Sequence, residues 1–106
     1  MYVFLAFLER ILASASEALW RPAALSREIA AKGVRVVSVA PTFVDTPLVR
    51  PFFDDPTFRK WVLDRIPIGR LGTVEEVAAA VVFLASPAAA LVTGSSLLVD
   101  GGWTAW

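Results

Sequence analysis

The sequence predicts an α/β fold built on parallel strands, and three observations support this prediction. Residues 34–39 read VRVVSV, a nearly continuous apolar run that is typical of a strand covered on both faces. A helical pattern and Gly33 precede this run, as in the second half of a βαβ unit. A later helical pattern leads into a second apolar strand at Ser96–Val99. We therefore expect two strands with flanking helices.

The helix before the first strand is predicted over Pro22–Ala31. Its first residue is a proline, which is tolerated at the start of a helix and breaks one further in. Leu25 and Ile29 fall on one face, and Gly33 suits the cap that ends the helix. Pro41 cannot donate a backbone hydrogen bond, so the following strand should stop at about that residue.

Two further helices are predicted from their start signals. Asp55 suits the N-cap of a short helix, and Pro56 suits its first position. Thr73 and Glu76 form a capping box, in which each side chain accepts a hydrogen bond from the other residue's backbone amide. This box opens a helix that we predict over Val74–Ala85, and a proline two residues later ends it.

Composition excludes several classes of function. The chain has 106 residues, no net charge, no Cys and no His. We therefore expect no nucleic-acid partner, no thiol or imidazole chemistry and no metal site. The apolar fraction of 57% exceeds the roughly 45–50% of ordinary globular domains. We therefore expect apolar surfaces of this chain to pack against a partner that the chain itself does not encode.

Residues 1–23 are predicted to be an amino-terminal extension, and we expect it to be helical. Its apolar start followed by Ala13-Ser14-Ala15 imitates a signal peptide, but no Lys or Arg precedes the apolar run. The charge-free apolar run Tyr2–Leu8 is far shorter than the ~20 residues that span a bilayer. We therefore expect no membrane partner and a cytoplasmic location.

Three blocks in this order resemble the carboxyl-terminal portion of short-chain dehydrogenase/reductases. They read KGVRVVSVAPTFVDTP, IPIGRLGTVEEVAAAVVFLAS and VTGSSLLVDGG. The resemblance covers residues 24–106 and implies the carboxyl-terminal segment of a Rossmann-like, doubly wound parallel sheet. It also implies NAD or NADP as cofactor and a small-molecule substrate in the intact family fold. It further implies a homo-oligomer, and a full-length relative is the other protein partner that we consider.

The resemblance carries a cofactor-binding role onto the loop that follows the first strand. In the family, this loop holds the carboxamide of the nicotinamide through backbone groups and a Thr hydroxyl. The matching residues here are Pro41, Thr42, Val44 and Thr46, and Thr42 stands where the family commonly has Gly. The alternative is that Thr42 and Thr46 only fix a turn through local side-chain hydrogen bonds.

Residues 52–65 match the family's variable substrate lid. Phe53, Phe58 and Trp61 are the candidates for its wall, and the alternative is ordinary helix packing. Trp103 and Trp106 suggest a subunit interface, where aromatic residues concentrate. The loop and the GGWTA ending are most similar to sugar- and polyol-acting members.

Three charged positions invite a catalytic or ligand role that we do not favour. Asp45 could be a general base, but a carboxylate in an exposed loop is usually solvated. Arg70 could reach a phosphate, although a solvated connector charge is the simpler interpretation. Asp100-Gly101-Gly102 is best explained as a turn that ends a strand.

The family's central chemistry has no match in this sequence. Its phosphate-binding turn needs closely spaced glycines ahead of a helix, and Gly33 is the first glycine here. Its catalytic Tyr stands four residues before a Lys, whereas Tyr2 is followed at that distance by Ala6. We expect no catalytic residues, no hydride transfer by the chain alone, and weak or no cofactor binding.

Two other hypotheses remain open from the sequence. One is a non-catalytic binding or oligomerisation module that docks on a full-length relative. The other is a small membrane-associated protein that uses Met1–Leu8.

Overall fold

A computed structural model describes residues 2–7 and 23–105 of the chain. Within these residues the strands are β1 (Tyr2–Phe7), β2 (Val34–Pro41) and β3 (Ser96–Val99). The α-helices are α1 (residues 23–29), α2 (Pro56–Leu63) and α3 (Val74–Ala85). Short 3-10 helices occupy Ala30–Lys32, Arg50–Asp54 and Pro87–Ala89. The predicted α/β fold class is confirmed.

The strands form one sheet in the order β1-β2-β3. β1 pairs in parallel with β2, from Tyr2 opposite Val34 to Phe7 opposite Val39. On the other side of β2, the amide of Ser38 donates to the carbonyl of Ser95 at 3.1 Å. The central strand β2 is buried over residues 35–39, as its continuous apolar pattern predicts.

The helical prediction for the amino-terminal extension is wrong at residues 2–7, which form β1. The sheet therefore has three strands rather than the expected two. Aromatic and β-branched residues favour a strand once a neighbouring strand can pair with it, and β2 provides that neighbour. Residues 8–22, including the signal-like Ala13-Ser14-Ala15, lie outside the described residues. Among the residues described, no helix is long and apolar enough to cross a membrane.

The segment between α1 and β2 follows the sequence prediction in outline. The helix passes into the 3-10 turn Ala30–Lys32, and Gly33 ends it in the left-handed conformation with φ 77°. The amide of Gly33 donates to the carbonyl of Ala30 at 2.9 Å. Ser26, rather than Leu25, is the buried side chain of α1, since 38% of Leu25 is exposed and only 6% of Ser26.

The chain divides into two compact units, residues 1–40 with 79–98 and residues 41–78 with 99–106. The first contains nearly all of the sheet, and its buried apolar side chains are Val36, Val37, Val39, Leu84 and Ala89. The second contains α2, the loop after β2 and the start of α3. Its buried apolar side chains are Val62, Ile66 and Val77.

Arg35 is a buried cation in the first unit, with only 5% of its surface exposed. Its guanidinium donates to the carbonyl of Leu84 at 2.7 Å and to that of Val92 at 3.1 Å. The carbonyl of Leu84 belongs to the last turn of α3, where backbone carbonyls lack partners within the helix. Arg35 therefore joins β2 to the end of α3.

Candidate functional site

Backbone hydrogen bonds hold the loop that follows β2 to residues 66–72, the connector that precedes α3. Val44 forms a parallel bridge with Gly72. The amide of Asp45 donates to the carbonyl of Gly72 at 2.9 Å, and the amide of Gly72 donates to the carbonyl of Phe43 at 3.0 Å. The amide of Thr42 reaches the carbonyl of Val99 at 3.4 Å. The loop conformation is therefore set by main-chain contacts.

The next turn of the loop is also closed by the main chain. The carbonyl of Thr46 accepts from the amides of Val49 and Arg50, both at 3.0 Å. Within the described part of the chain, neither the hydroxyls of Thr42 and Thr46 nor the amide of Val44 has a hydrogen-bond partner. The local side-chain bonds that the turn-only alternative requires are therefore not present among these residues.

These unpartnered groups suit a planar carboxamide. A primary amide offers two N–H donors and a carbonyl acceptor, so it needs both an acceptor and a donor in return. The hydroxyl of Thr46 can accept or donate, and the amide of Val44 can donate. Pro41 is the last residue of β2 and has no N–H of its own, so it can shape the loop but cannot donate.

The connector that the loop pairs with is itself fixed by charge. The carboxylate of Glu76 accepts two hydrogen bonds from Arg70, at 2.6 and 3.0 Å, and one from the amide of Thr73 at 2.8 Å. The hydroxyl of Thr73 accepts from the amide of Glu76 at 3.2 Å, which confirms the predicted capping box. The hydrogen bonds from Arg70 and then from Thr73 lower the pKa of Glu76 to about 2. Arg70 is exposed as expected, but it is paired rather than free.

Asp45 is likewise occupied by an ion pair. Its carboxylate accepts from Nε of Arg50 at 2.8 Å. This hydrogen bond raises the pKa of the Arg50 guanidinium above its ordinary value, and the charge of Asp45 adds to the effect. Asp45 is exposed and already pairs with Arg50, so its surroundings do not mark it as a general base.

An open cavity of about 580 Å³ lies beside this ion pair. Its cationic lining consists of Arg50, Arg59 and Arg70, and two of these three already pair with carboxylates. Asp45 and Asp54 also line the cavity. With Glu76, which pairs with Arg70, three carboxylates balance the three arginines, so the cavity has no excess positive charge with which to bind an anion.

Six aromatic side chains form an aromatic cluster in the same unit. Its members are Phe43, Phe52, Phe53, Phe58, Trp61 and Trp103. The structure thus brings the three predicted lid residues together. The ring centroids of Phe53 and Phe58 lie 5.5 Å apart, and those of Phe58 and Trp61 lie 6.2 Å apart.

Phe43 and Trp103 join this cluster although the sequence did not assign them to the lid. Their ring centroids are 5.6 Å apart, and the ring of Trp103 lies 5.9 Å from that of Trp61. The sequence signal for Phe43 was its place between Thr42 and Val44 in the candidate cofactor loop. Trp103 contacts Phe43 and Trp61 within the chain, and its expected place at a subunit interface stays a prediction. Trp106 lies outside the described residues.

The segment Asp100-Gly101-Gly102 is a turn, as expected. The carboxylate of Asp100 accepts from the amide of Gly102 and from the amide and hydroxyl of Thr104, at 2.8–3.0 Å. Partial burial opposes ionisation, but the hydrogen bonds from Thr104 and Gly102 outweigh it and lower the pKa of Asp100. Among the described residues, no group of three or more acidic side chains could hold a metal ion.

Fold and loop together define an α/β protein with a candidate ligand loop at the carboxyl end of a buried parallel strand, which is where such sheets bind ligands. A family model described as enoyl-(acyl carrier protein) reductase matches residues 14–104. The chain belongs to the short-chain dehydrogenase/reductase family. This match begins at residue 14, ten residues before the resemblance that we noted in the sequence, which begins at residue 24.

Individual relatives agree with this family. Galactitol 2-dehydrogenase (L-tagatose-forming) of Cereibacter sphaeroides is 48% identical over 78% of this chain and 33% of its own length. A 3-oxoacyl-(acyl-carrier-protein) reductase of Vibrio harveyi is 49% identical over 74% of this chain and 31% of its own length. This chain therefore spans about a third of the length of the curated relatives that it matches.

A solved structure extends the comparison to the fold. It is a protein of Agrobacterium tumefaciens, provisionally assigned as a 2-deoxy-D-gluconate 3-dehydrogenase, with NADP bound. It superposes with a TM-score of 0.82 at 37% identity, over 98% of this chain and 46% of its own. The fold is thus the carboxyl-terminal part of a Rossmann-like sheet, in a family with NADP-binding members.

Proposed function

We propose that this chain supplies the nicotinamide-binding loop and the substrate lid of an NAD(P)-dependent oxidoreductase that interconverts an alcohol and a carbonyl compound. One observation carries the proposal. This chain belongs to the family, and among its described residues the amide of Val44 and the hydroxyl of Thr46 have no hydrogen-bond partner. Both lie on a loop that the Val44–Gly72 bridge holds in place. Pro41 and Thr42 form the start of the same loop.

The residues of the loop bind and orient the coenzyme in this proposal. The amide of Val44 and the hydroxyl of Thr46 hold the carboxamide, and this fixes which face of the nicotinamide ring meets the substrate. The coenzyme supplies the hydride acceptor or donor when it is bound. The hydroxyl of Thr42 offers a further hydrogen bond at the position where the family commonly has Gly.

Phe53, Phe58 and Trp61 form a wall of the substrate lid in this proposal. Their contacts with one another, at centroid distances of 5.5 and 6.2 Å, support a common surface. The similarity to galactitol and deoxygluconate dehydrogenases supports a sugar- or polyol-like substrate. We place the protein in the cytoplasm, where NAD(P) is available.

We also propose that the chain alone is inactive, because the only Tyr has no Lys four residues later and no glycine-rich turn precedes Gly33. Without a phosphate site, we expect NADH to bind with a Kd of about 1 mM or weaker. A fluorescence titration that gives a micromolar Kd would contradict this part of the proposal. Turnover of an alcohol by the purified chain with added coenzyme would do so as well.

The loop is tested by saturation-transfer NMR with NADH as the probe. We expect saturation from the protein to reach the nicotinamide protons more strongly than the adenine protons, since only the nicotinamide end has a site here. Thr46→Val keeps the shape of the side chain and removes its hydroxyl, so it should reduce the nicotinamide signal about threefold or more.

Thr57→Val is the matched control, because Thr57 is an exposed threonine at the start of α2, away from the loop in sequence. It should leave the nicotinamide signal unchanged. Equal signals at both ends of NADH, or equal losses in the two variants, would refute the assignment of the loop.

A second candidate function is a non-catalytic module that docks on a full-length relative. The observation in its favour is the exposure of apolar side chains in the first unit, with Val82, Phe83 and Leu98 between 46% and 67% exposed. Co-expression with a tagged full-length relative tests it. Recovery of a stoichiometric complex in which the loop of this chain contributes no catalytic activity supports the module. Failure of the two proteins to co-purify argues against it.

A further inference from the structure

We infer that the aromatic cluster selects a substrate with a continuous apolar face, a cyclic or aryl-substituted alcohol or ketone, over an open-chain polyol. This inference rests on the alcohol–carbonyl chemistry of the proposed function, and it replaces the sugar- or polyol-like substrate suggested by the relatives with a more apolar one. It also assigns Phe43 and Trp103, which the sequence did not assign to the lid, as specificity-determining residues.

The cluster is not the core of its unit. The buried side chains there are aliphatic, with exposures of 0% for Val62, 2% for Ile66 and 8% for Val77. By contrast, Trp61 is 45% exposed and Phe52 is 61% exposed, and the other four rings are half-buried. The aromatic rings are therefore more exposed than the aliphatic core of their unit, and they leave apolar surface that a ligand can bury.

The cluster adjoins the proposed nicotinamide site through the chain itself. Phe43 lies between Thr42 and Val44 in the sequence. The centroid of its ring is 5.6–6.1 Å from the ring centroids of Phe53, Phe58 and Trp103. Phe43 therefore joins the cluster to the loop, and a substrate that meets the nicotinamide ring can place its remaining atoms against these rings. This continuity makes a ligand a better occupant for the cluster than a second protein.

The aromatic rings themselves offer few of the polar groups that a polyol needs. The rings contribute only two indole N–H groups, from Trp61 and Trp103. The guanidinium of Arg65 lies 4.1 Å from the centroid of the Trp61 ring and donates to the carbonyl of Trp61 at 3.0 Å, so it is already engaged. A polyol would lose water from several hydroxyls without equivalent partners, whereas an apolar ring gains by losing water.

Saturation-transfer NMR on the full chain tests this inference, with cyclohexanol and galactitol as the two probes at equal concentration. We expect at least about fivefold stronger saturation per proton for cyclohexanol. Trp61→Ala should reduce the cyclohexanol signal at least about threefold and leave the NADH signal unchanged. Phe43→Leu keeps an apolar side chain but removes the ring, and should also weaken the cyclohexanol signal.

Phe83→Ala is the matched control, because Phe83 is an exposed aromatic on α3 outside the cluster. It should change neither signal, and circular dichroism establishes that each variant is folded. Stronger saturation of galactitol, equal saturation of both probes, or equal losses in Trp61→Ala and Phe83→Ala would overturn the inference. Failure of the proposed function is distinct from this, because it appears as an NADH signal that Thr46→Val does not change.

Discussion

At the scale of single residues, Glu76 does most to order the surroundings of the candidate loop. Its carboxylate accepts hydrogen bonds from Arg70 and from the amide of Thr73, next to the Gly72 that pairs with Val44. Both partners favour the ionised carboxylate, which is why the pKa of Glu76 falls from its ordinary 4.5 to about 2. The stabilisation from this shift is fully present above about pH 4.5 and is lost as the pH falls through about 2.

Glu76→Gln tests this pH dependence. Glutamine keeps the capping box but loses the ion pair with Arg70, so at pH 7 we expect a Tm about 2–4 °C below that of the wild type. The difference in Tm should shrink towards zero near pH 2, where the wild-type carboxylate becomes protonated. Glu75→Gln, at the exposed neighbouring position, should differ little from the wild type at either pH. A Glu76→Gln difference that is the same at both pH values would show that the ion pair adds no stability.

At the scale of secondary-structure elements, Arg35 links a strand to a helix. It is part of β2, yet its guanidinium donates to the carbonyls of Leu84 and Val92 at 2.7 and 3.1 Å. The first lies in the last turn of α3, where a cation also meets the negative end of the helix dipole. The planar guanidinium can reach both carbonyls at once, which a lysine ammonium cannot match in geometry.

Arg35→Lys should therefore lower the free energy of unfolding by about 2 kcal/mol, because a buried carbonyl loses a charged donor. Chemical denaturation followed by circular dichroism measures the change. Arg27→Lys, on the exposed face of α1, is the control and should lie within about 0.5 kcal/mol of the wild type. Equal stability of the two variants would mean that Arg35 is not a structural link.

At the scale of the whole molecule, the exposed apolar side chains of α3 and β3 predict self-association. Val82 and Leu98 are 67% and 50% exposed in a chain that is 57% hydrophobic. Such surfaces are normally covered in stable proteins. The homo-oligomer implied by the family resemblance is one way in which they become covered, and it remains a prediction here.

Val82→Lys tests whether α3 contributes to this association. A charge at the centre of an apolar contact should weaken self-association about fivefold or more, measured by sedimentation velocity over a range of concentrations. Ala88→Lys is the matched control, because it introduces the same charge at an exposed position after α3, and it should leave association unchanged. A wild-type protein that stays monomeric at every concentration would contradict the prediction of self-association itself.

Several elements could be predicted from the sequence because their signals are local. The bounds of α3, the N-cap Asp55 of α2 and the strand β2 all depend on residues within a few positions of one another. The site was predicted in part. The loop residues came from a family resemblance, and their cofactor role remains a prediction. The lid residues Phe53, Phe58 and Trp61 do lie together, but their contact with a substrate is still untested.

The sequence by itself determined the α/β class, the helix starts and the place of the loop after β2, because backbone capping and side-chain periodicity are properties of neighbouring residues. Only the tertiary structure decided that residues 2–7 form a strand, since that strand needs the backbone of β2 as its partner. Tertiary structure likewise buried Arg35 against distant carbonyls and gathered Phe43 and Trp103 into one cluster. These features depend on contacts between residues about 30 to 60 positions apart, and no local pattern in the chain encodes them.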